Sequence, residues 1–308
     1  MKTTELKRSK LKILLILWAV LLLMLTTFGC ADSSTEDTPL GDTLFTEDNY
    51  PRVDGSTANI PLGRALAMKL AGVDEDKADL LSVFSTTSNA YYNLVEKQVD
   101  IILAYQEDRE TLEYINDSNV ELEYYPIGWD ALVFIVNESN AVESLTKSQI
   151  QTVYTGDVTN WASLGGANEP VIAFQRNENS GSQALMRKLV MGNLTMAQAP
   201  SEQMPSEMGE LIERLSDYDN GQGAIGYSVY YYVQNMYELS GLKLLAIDGV
   251  NPSNETIANQ TYPYINQFYA VIRKDSTPDS VERKMLNWLL SPEGTKLITE
   301  AGYVAANR

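Results

Sequence analysis

The sequence predicts an α/β chain folded as two lobes, and three observations support it. Apolar runs of strand length alternate with amphipathic helical stretches along most of the chain. Three turns leading into helices carry hydroxyl side chains where the helix starts: Gly55-Ser56-Thr57, Ser85 to Asn89, and Arg176 to Ser182. Of the 308 residues, roughly 260 follow a leader and a polar tether, enough to bury two cores.

The chain opens MKTTELKRSKLKILLILWAVLLLMLTTFGC, in which Lys7, Arg8, Lys10 and Lys12 precede an apolar run from Ile13 that ends at Gly29-Cys30. This is the layout of an export signal, expected over residues 1–29. A membrane-spanning anchor is the alternative, but the run is short for a span of about 20 residues. Thr27 stands where a leucine is usual before a lipoprotein cleavage site. Cys30 is the only cysteine, so no intramolecular disulfide forms, and acylation best explains a lone thiol at the end of a leader. Two acyl chains hold a protein on a membrane, so the expected location is extracytoplasmic and lipid-anchored. Residues 30–48 are polar, acidic and without periodicity, and read as a tether.

The formal net charge is -18, and the leader removes Lys2, Lys7, Arg8, Lys10 and Lys12 against Glu5 alone. Such a surface repels nucleic acid and anionic lipid, so no nucleic-acid partner is expected. An anionic ligand has to be recognised by donors at short range, because distant charges are screened over about 8–10 Å. The chain has no histidine. That removes the commonest general base, the Ser-His and Cys-His nucleophile pairs and most zinc sites. No catalytic residue, metal or cofactor is expected.

In the body, DGSTANIPLGRALAMKLAG (54–72) places Gly55, Ser56 and Thr57 before an amphipathic helix that stops at Gly72. The hydroxyls read as ordinary N-caps, or, with the free amides of a first helical turn, as an anion seat. A strand LLSVF leads through Ser85-Thr86-Thr87-Ser88-Asn89 into the helix AYYNLVEKQ (90–98), and VDIILAY (99–105) is a buried strand. ALVFIVN (131–137) is a strand, and SLTKSQIQTVYTG (144–156) a helix with Leu145, Ile150, Val153 and Tyr154 on one face. VIAFQR (171–176) is a strand, SQALMRKLVMG (182–192) a helix, GAIGYS (223–228) and QFYAVIRK (267–274) strands. The last helix presents Val281, Met285, Trp288 and Leu289 at helical spacing and breaks near Pro292. Alternation of this kind predicts parallel strands.

In Arg176-Asn177-Glu178-Asn179-Ser180-Gly181-Ser182 the arginine offers a fork to two oxygens, and Ser180, the Gly181 amide and Ser182 offer donors at a helix start. Gly181 lets backbone approach a ligand closely. Because α/β proteins gather ligands at the carboxyl ends of their strands, the three turns together predict an oxyanion site.

These segments, with GWDALVFIVN, YTGDVTNWASLGG and the ending EAGYVAANR, resemble the phosphate-binding proteins of ABC transporters in their lipoprotein form. The resemblance implies a two-lobe type II periplasmic-binding-protein fold with two hinge crossings, near Asp130 and Tyr264. Lobe I would be 49–130 plus 265–308, and lobe II 131–264. It also implies capture of phosphate or a similar oxyanion for delivery to an ABC permease. Family anion-binding positions fall on Thr57, the Ala58 amide, Thr87, Ser88, Arg176, Ser180, Gly181 and Ser182. Gly55, Ser56 and Tyr105 complete the candidate set.

Where the family places Ser-Asp, this chain has Ala104-Tyr105. A carboxylate there accepts a hydrogen bond from protonated phosphate and repels sulfate, whereas a phenol carries no charge. Asp54, Glu107 and Asp130 are candidates for the missing acceptor. Asn160 and Trp161 read as packing, and tyrosines 227, 230, 231 and 232 as core. The alternatives are a binder or sensor of a different small anion and, ranked below it, an extracytoplasmic phosphate-ester hydrolase.

Overall fold

The computed structural model describes residues 43–306 apart from 179, 207, 218–220 and 238. The expected leader 1–29, Cys30 and the tether as far as residue 42 lie outside the described residues, as do 307 and 308. The body starts earlier than its sequence suggests. Phe45 is buried edge to face against Tyr50 at 5.8 Å, and its N–H donates to the Leu70 carbonyl at 2.9 Å. Residues 43–48, expected as tether, therefore pack onto the body, because one aromatic side chain outweighs the polar residues around it.

β1 (Val53–Gly55) leads through a tight turn (Thr57–Asn59) into α1 (Ile60–Ala71), where Leu62, Leu66 and Leu70 recur on the buried face. Gly72, at φ 65°, ends that helix in the left-handed region a glycine adopts without strain. α2 (Glu75–Leu81) takes in Leu80 and Leu81, so the expected strand LLSVF does not form. Leu80 and Val83 are 77% and 70% exposed, and only Ser82 and Phe84 of the run are buried. α3 (Thr87–Val95), β2 (Ile101–Tyr105), α4 (Arg109–Ser118), β3 (Leu122–Asn137), β4 (Ser144–Leu145) and α5 (Lys147–Tyr154) follow. Next come β5 (Ile172–Ala173), α6 (Gly181–Leu185) continued by a wider π turn (Met186–Met191), α7 (Met208–Asp217), β6 (Ala224–Val229) and α8 (Tyr230–Asn235). β7 (Leu242–Leu244), β8 (Ala246–Ile247), α9 (Asn254–Ala258), β9 (Ile265–Arg273), α10 (Val281–Leu289), α11 (Pro292–Glu300) and β10 (Val304–Ala305) complete the order.

The fold is mixed α/β: an open sheet ordered β1-β2-β9-β3-β6-β5, flanked by helices, with β10 and β7 also paired to β3. Parallel pairing, expected throughout, is confined to β1–β2, β5–β6 and the separate pair β4–β8. The reason is β3, 16 residues long, and β9, which run antiparallel through the middle of the sheet. β3 pairs with β9 from Leu122 to Ala131 and with β6 from Leu132 to Val136, so it changes partner within one uninterrupted strand. A bulge between Pro126 and Gly128 absorbs the proline, which has no N–H to give the ladder.

Trp161 is buried and its indole N–H donates to the Gly223 carbonyl at 2.9 Å, while Asn160 accepts the Ala162 N–H at 2.9 Å and starts the next turn. Both residues hold the connection after α5 in place. Tyr227, Tyr231 and Tyr232 are buried and Tyr230 is half-buried, as expected of core residues. At the end of the chain Tyr303 stacks on Tyr231 with ring centroids 3.5 Å apart, and its hydroxyl donates to the Ala58 carbonyl at 2.7 Å. The residue ahead of the last strand thus braces the turn before α1. No helix among the described residues is long and apolar enough to cross a membrane.

Candidate functional site

Three helices begin at one cavity. It has a volume of about 200 Å³ and is lined by Ser56, Thr57, Ala58, Thr87, Tyr105, Arg176, Ser180, Gly181 and Ser182, together with Thr86, Asn89, Asn177, Ser206 and Met208. That is below the range of about 300–1,000 Å³ typical for drug-sized ligands, so the cavity suits a small one. Among the described residues its lining carries one cation, Arg176, and no carboxylate.

The helix starts at the cavity differ from six others in one respect. Asp74, Asp108, Thr146, Ser253, Ser280 and Ser291 each accept an N–H of the first turn they precede. Ser56, Thr86 and Ser180, which precede the three starts at the cavity, do not. Their hydroxyls are turned to other work. Ser56 Oγ accepts the Tyr105 N–H at 3.1 Å and pairs with Thr87 Oγ1 at 2.8 Å, tying the end of β2 to the start of α3. Ser180 Oγ pairs with Ser182 Oγ at 2.9 Å. First-turn amides and the positive ends of three helix dipoles are thereby directed at one volume, the arrangement that attracts an anion.

Arg176 is 4% exposed. Its backbone N–H donates to the Tyr227 hydroxyl at 3.2 Å, its Nε to the Pro205 carbonyl at 3.3 Å and its Nη2 to the Ser206 carbonyl at 2.9 Å. The Tyr227 hydroxyl in turn donates to Gln183 on α6. The guanidinium is thus aimed by two backbone carbonyls. The acid of the same loop is drawn outward: Glu178 accepts Arg187 Nε at 2.7 Å in an exposed pair. At Gly181 a Cβ would lie 2.8 Å from Thr87 Oγ1, so only glycine lets the α6 start come this close to α3.

Two of the residues expected at the site stand outside the lining. A Cβ on Gly55 would lie 2.1 Å from the Leu103 carbonyl, so this glycine serves the close pairing of β1 and β2. Ser88 points away, its hydroxyl donating to Asp108 Oδ2 at 2.6 Å. Of the proposed substitute acceptors, Asp54 is spent on its own loop. It accepts the N–H groups of Gly55 and Ser85, the Ser85 hydroxyl at 2.6 Å and Asn93 Nδ2 at 2.8 Å. Glu107 is not part of the lining. Asp130 lies behind Tyr105 and accepts its hydroxyl at 2.6 Å. Thr86, Asn89 and Asn177 were within the loops read from sequence. Ser206 and Met208 come from a segment the sequence reading passed over: Pro205 marks a turn, and Met208, Leu211, Ile212 and Leu215 recur at helical spacing as the buried face of α7.

Thr86 carries strain. At φ 105° and ψ 166° it occupies a region in which L side chains clash, at a cost of about 1–3 kcal/mol. Thr86→Gly is therefore expected to stabilise the protein by about 1 kcal/mol, after the extra chain entropy of glycine is deducted, and to raise Tm by about 2–4 °C. An unchanged or lower Tm would show that the surrounding hydrogen bonds need the threonine more than the backbone resents it.

The family model described as the PBP superfamily domain matches residues 41–293. Among curated proteins, the phosphate-binding protein PstS of Bacillus subtilis is 23% identical over 306 residues, covering 97% of this chain and 94% of that protein. PstS of Staphylococcus aureus is 23% identical over 260 residues, covering 82% and 77%. Among solved structures, an ABC-type phosphate transport receptor from Vibrio cholerae superimposes with a TM-score of 0.61 at 21% identity, over 82% of this chain and 98% of that one.

Proposed function

Because the chain belongs to the PBP superfamily, we propose that its cavity captures a small tetrahedral oxyanion, phosphate before others, for delivery to an ABC permease. The observation that carries this reading is the meeting of three helix starts, none capped by the side chain ahead of it, around Arg176. Each donor is local, which suits an acidic protein that cannot draw an anion from a distance. We read the parts on either side of the β3 partner change, 49–130 plus 265–308 and 131–264, as two lobes. Closing them brings Gly181 to Thr87 and completes the ligand's shell from both sides.

The relatives' names supply phosphate and the transporter. Acylation of Cys30 would hold the protein outside the cell membrane, beside such a permease. Binding rather than hydrolysis is the reading, since the chain has no histidine and the described lining residues include no carboxylate to act as a general base. Titration calorimetry with phosphate, sulfate, molybdate and a small carboxylate tests it. Heat with phosphate and none with the carboxylate is the expected result, and silence with every oxyanion overturns the proposal. A second reading, in which sulfate competes with phosphate, is favoured by Tyr105: its hydroxyl is committed to Asp130, so this position presents no charged acceptor to a fully ionised rival.

A further inference from the structure

Asp130 is 2% exposed and lies where β3 changes partner. Its Oδ2 accepts the Tyr105 hydroxyl at 2.6 Å, and its Oδ1 accepts the N–H groups of Ala131 at 2.7 Å and Tyr231 at 3.0 Å. The second of these makes Asp130 the cap of α8, whose own preceding residue is Val229. It therefore joins the wall of the cavity, through Tyr105, to the first turn of a helix on the far side of the partner change.

The titratable groups that face it are phenols: Tyr105 on β2, Tyr230 and Tyr231 on α8, and Tyr303 ahead of β10. No lysine or arginine stands among them, so the carboxylate is held by dipoles alone. Burial pushes its pKa up to about 6, while the hydrogen bonds from Tyr105, Ala131 and the α8 amides pull the other way.

We infer that Asp130 is a positioning residue that acts through Tyr105 to set how readily the cavity accepts an anion, and that the anion's entry draws a net fraction of a proton from solvent onto Asp130. This rests on the oxyanion reading above. A second negative charge brought to one side of the Tyr105 ring disfavours the carboxylate on the other side, and the intervening ring excludes the water that would screen them. The sign follows from linkage. The bound state holds the proton more tightly than the free state, so affinity is greatest where Asp130 is already protonated and falls as pH rises through about 6 and the unit above it. The chain has no histidine to contribute in that range.

Sulfate is the probe, because its own charge is constant there. In the intact protein its affinity should fall about tenfold from about pH 5.5 to about pH 8, and calorimetry near neutrality in buffers of different ionisation enthalpy should report net proton uptake. Asp130→Asn, which keeps acceptors for Tyr105 and α8, should flatten the profile. Tyr105→Phe removes a bond that favours the carboxylate, so it should move the midpoint to higher pH. A flat profile in the intact protein, or an unchanged slope in Asp130→Asn, overturns the inference. A uniform loss of affinity in Asp130→Asn with the slope retained would show a structural role only, and would overturn it equally. If no oxyanion binds at any pH, the underlying reading fails instead, so the two failures are told apart.

Discussion

Replacing Arg176 with methionine is expected to weaken anion binding by about two to four orders of magnitude while the chain stays folded. Hydrogen bonds to a charged group contribute roughly 1.5–3 kcal/mol each, and a planar fork supplies two of them, so the loss is about 3–6 kcal/mol. Methionine fills much of the same buried volume without a donor. Two carbonyls lose a partner, those of Pro205 and Ser206. Ser206 is exposed and its carbonyl can turn to water, which keeps the cost to stability near 1–2 kcal/mol. Arg176→Lys keeps the charge but not the fork, and should fall between the two. A dissociation constant within threefold of the original in Arg176→Met would remove this residue from the site, and with it the main electrostatic support for the reading.

The second large effect belongs to Gly181→Ala. The added methyl would stand 2.8 Å from Thr87 Oγ1, and that oxygen has little freedom to retreat because it is paired with Ser56 Oγ at 2.8 Å. Overpacking of this kind costs about 1–3 kcal/mol, which here opposes the closed arrangement rather than the fold, since the contact joins two loops across a cavity. Affinity should drop some thirtyfold, about 2 kcal/mol, with Tm of the ligand-free protein unchanged. Gly55→Ala provides the contrast. Its methyl would meet the Leu103 carbonyl inside the sheet at 2.1 Å, so Tm should fall sharply. Unaltered affinity in Gly181→Ala would mean that the two loops do not close on the ligand.

The geometry also revises what Tyr105 implies. On sequence alone, Tyr105→Asp looks like a way to restore a charged acceptor. In the folded chain it would set a second carboxylate beside a buried Asp130 and remove that residue's hydrogen-bond donor. One of the pair would take up a proton instead.

The α/β class and most elements were legible because apolar periodicity survives in a single sequence. Leu62, Leu66 and Leu70 mark α1, and the run from Ile101 to Tyr105 marks β2. The sheet's mixed direction was not legible, since pairing direction depends on which distant strand arrives, and periodicity carries no record of it. LLSVF failed for a related reason: an apolar run is ambiguous between the end of a helix and a strand until its burial is known. At the site, Arg176, Ser180 and Gly181 could be read from a turn that precedes a helix. The outward turn of Ser88 could not, because Asp108, its partner, is 20 residues away in the chain. Met208 was legible as the start of an amphipathic helix with Leu211, Ile212 and Leu215, but that the loop before it turns into the cavity was not, because Arg176, which its carbonyls hold, is about 30 residues away in the chain.

Amide hydrogens in the first turn of a helix exchange with solvent according to what covers them, and the helices of this protein fall into two groups in that respect. At α2, α5 and α11 the cover is the protein's own Asp74, Thr146 and Ser291. At Thr57–Ala58, Thr87 and Gly181–Ser182 the preceding side chain supplies none, so protection there must be lent by the cavity's occupant. Saturating the protein with an anion should therefore slow exchange at those few amides well beyond any change at the capped helices. The backbone itself would record both the presence of a ligand and the outline of the surface that holds it.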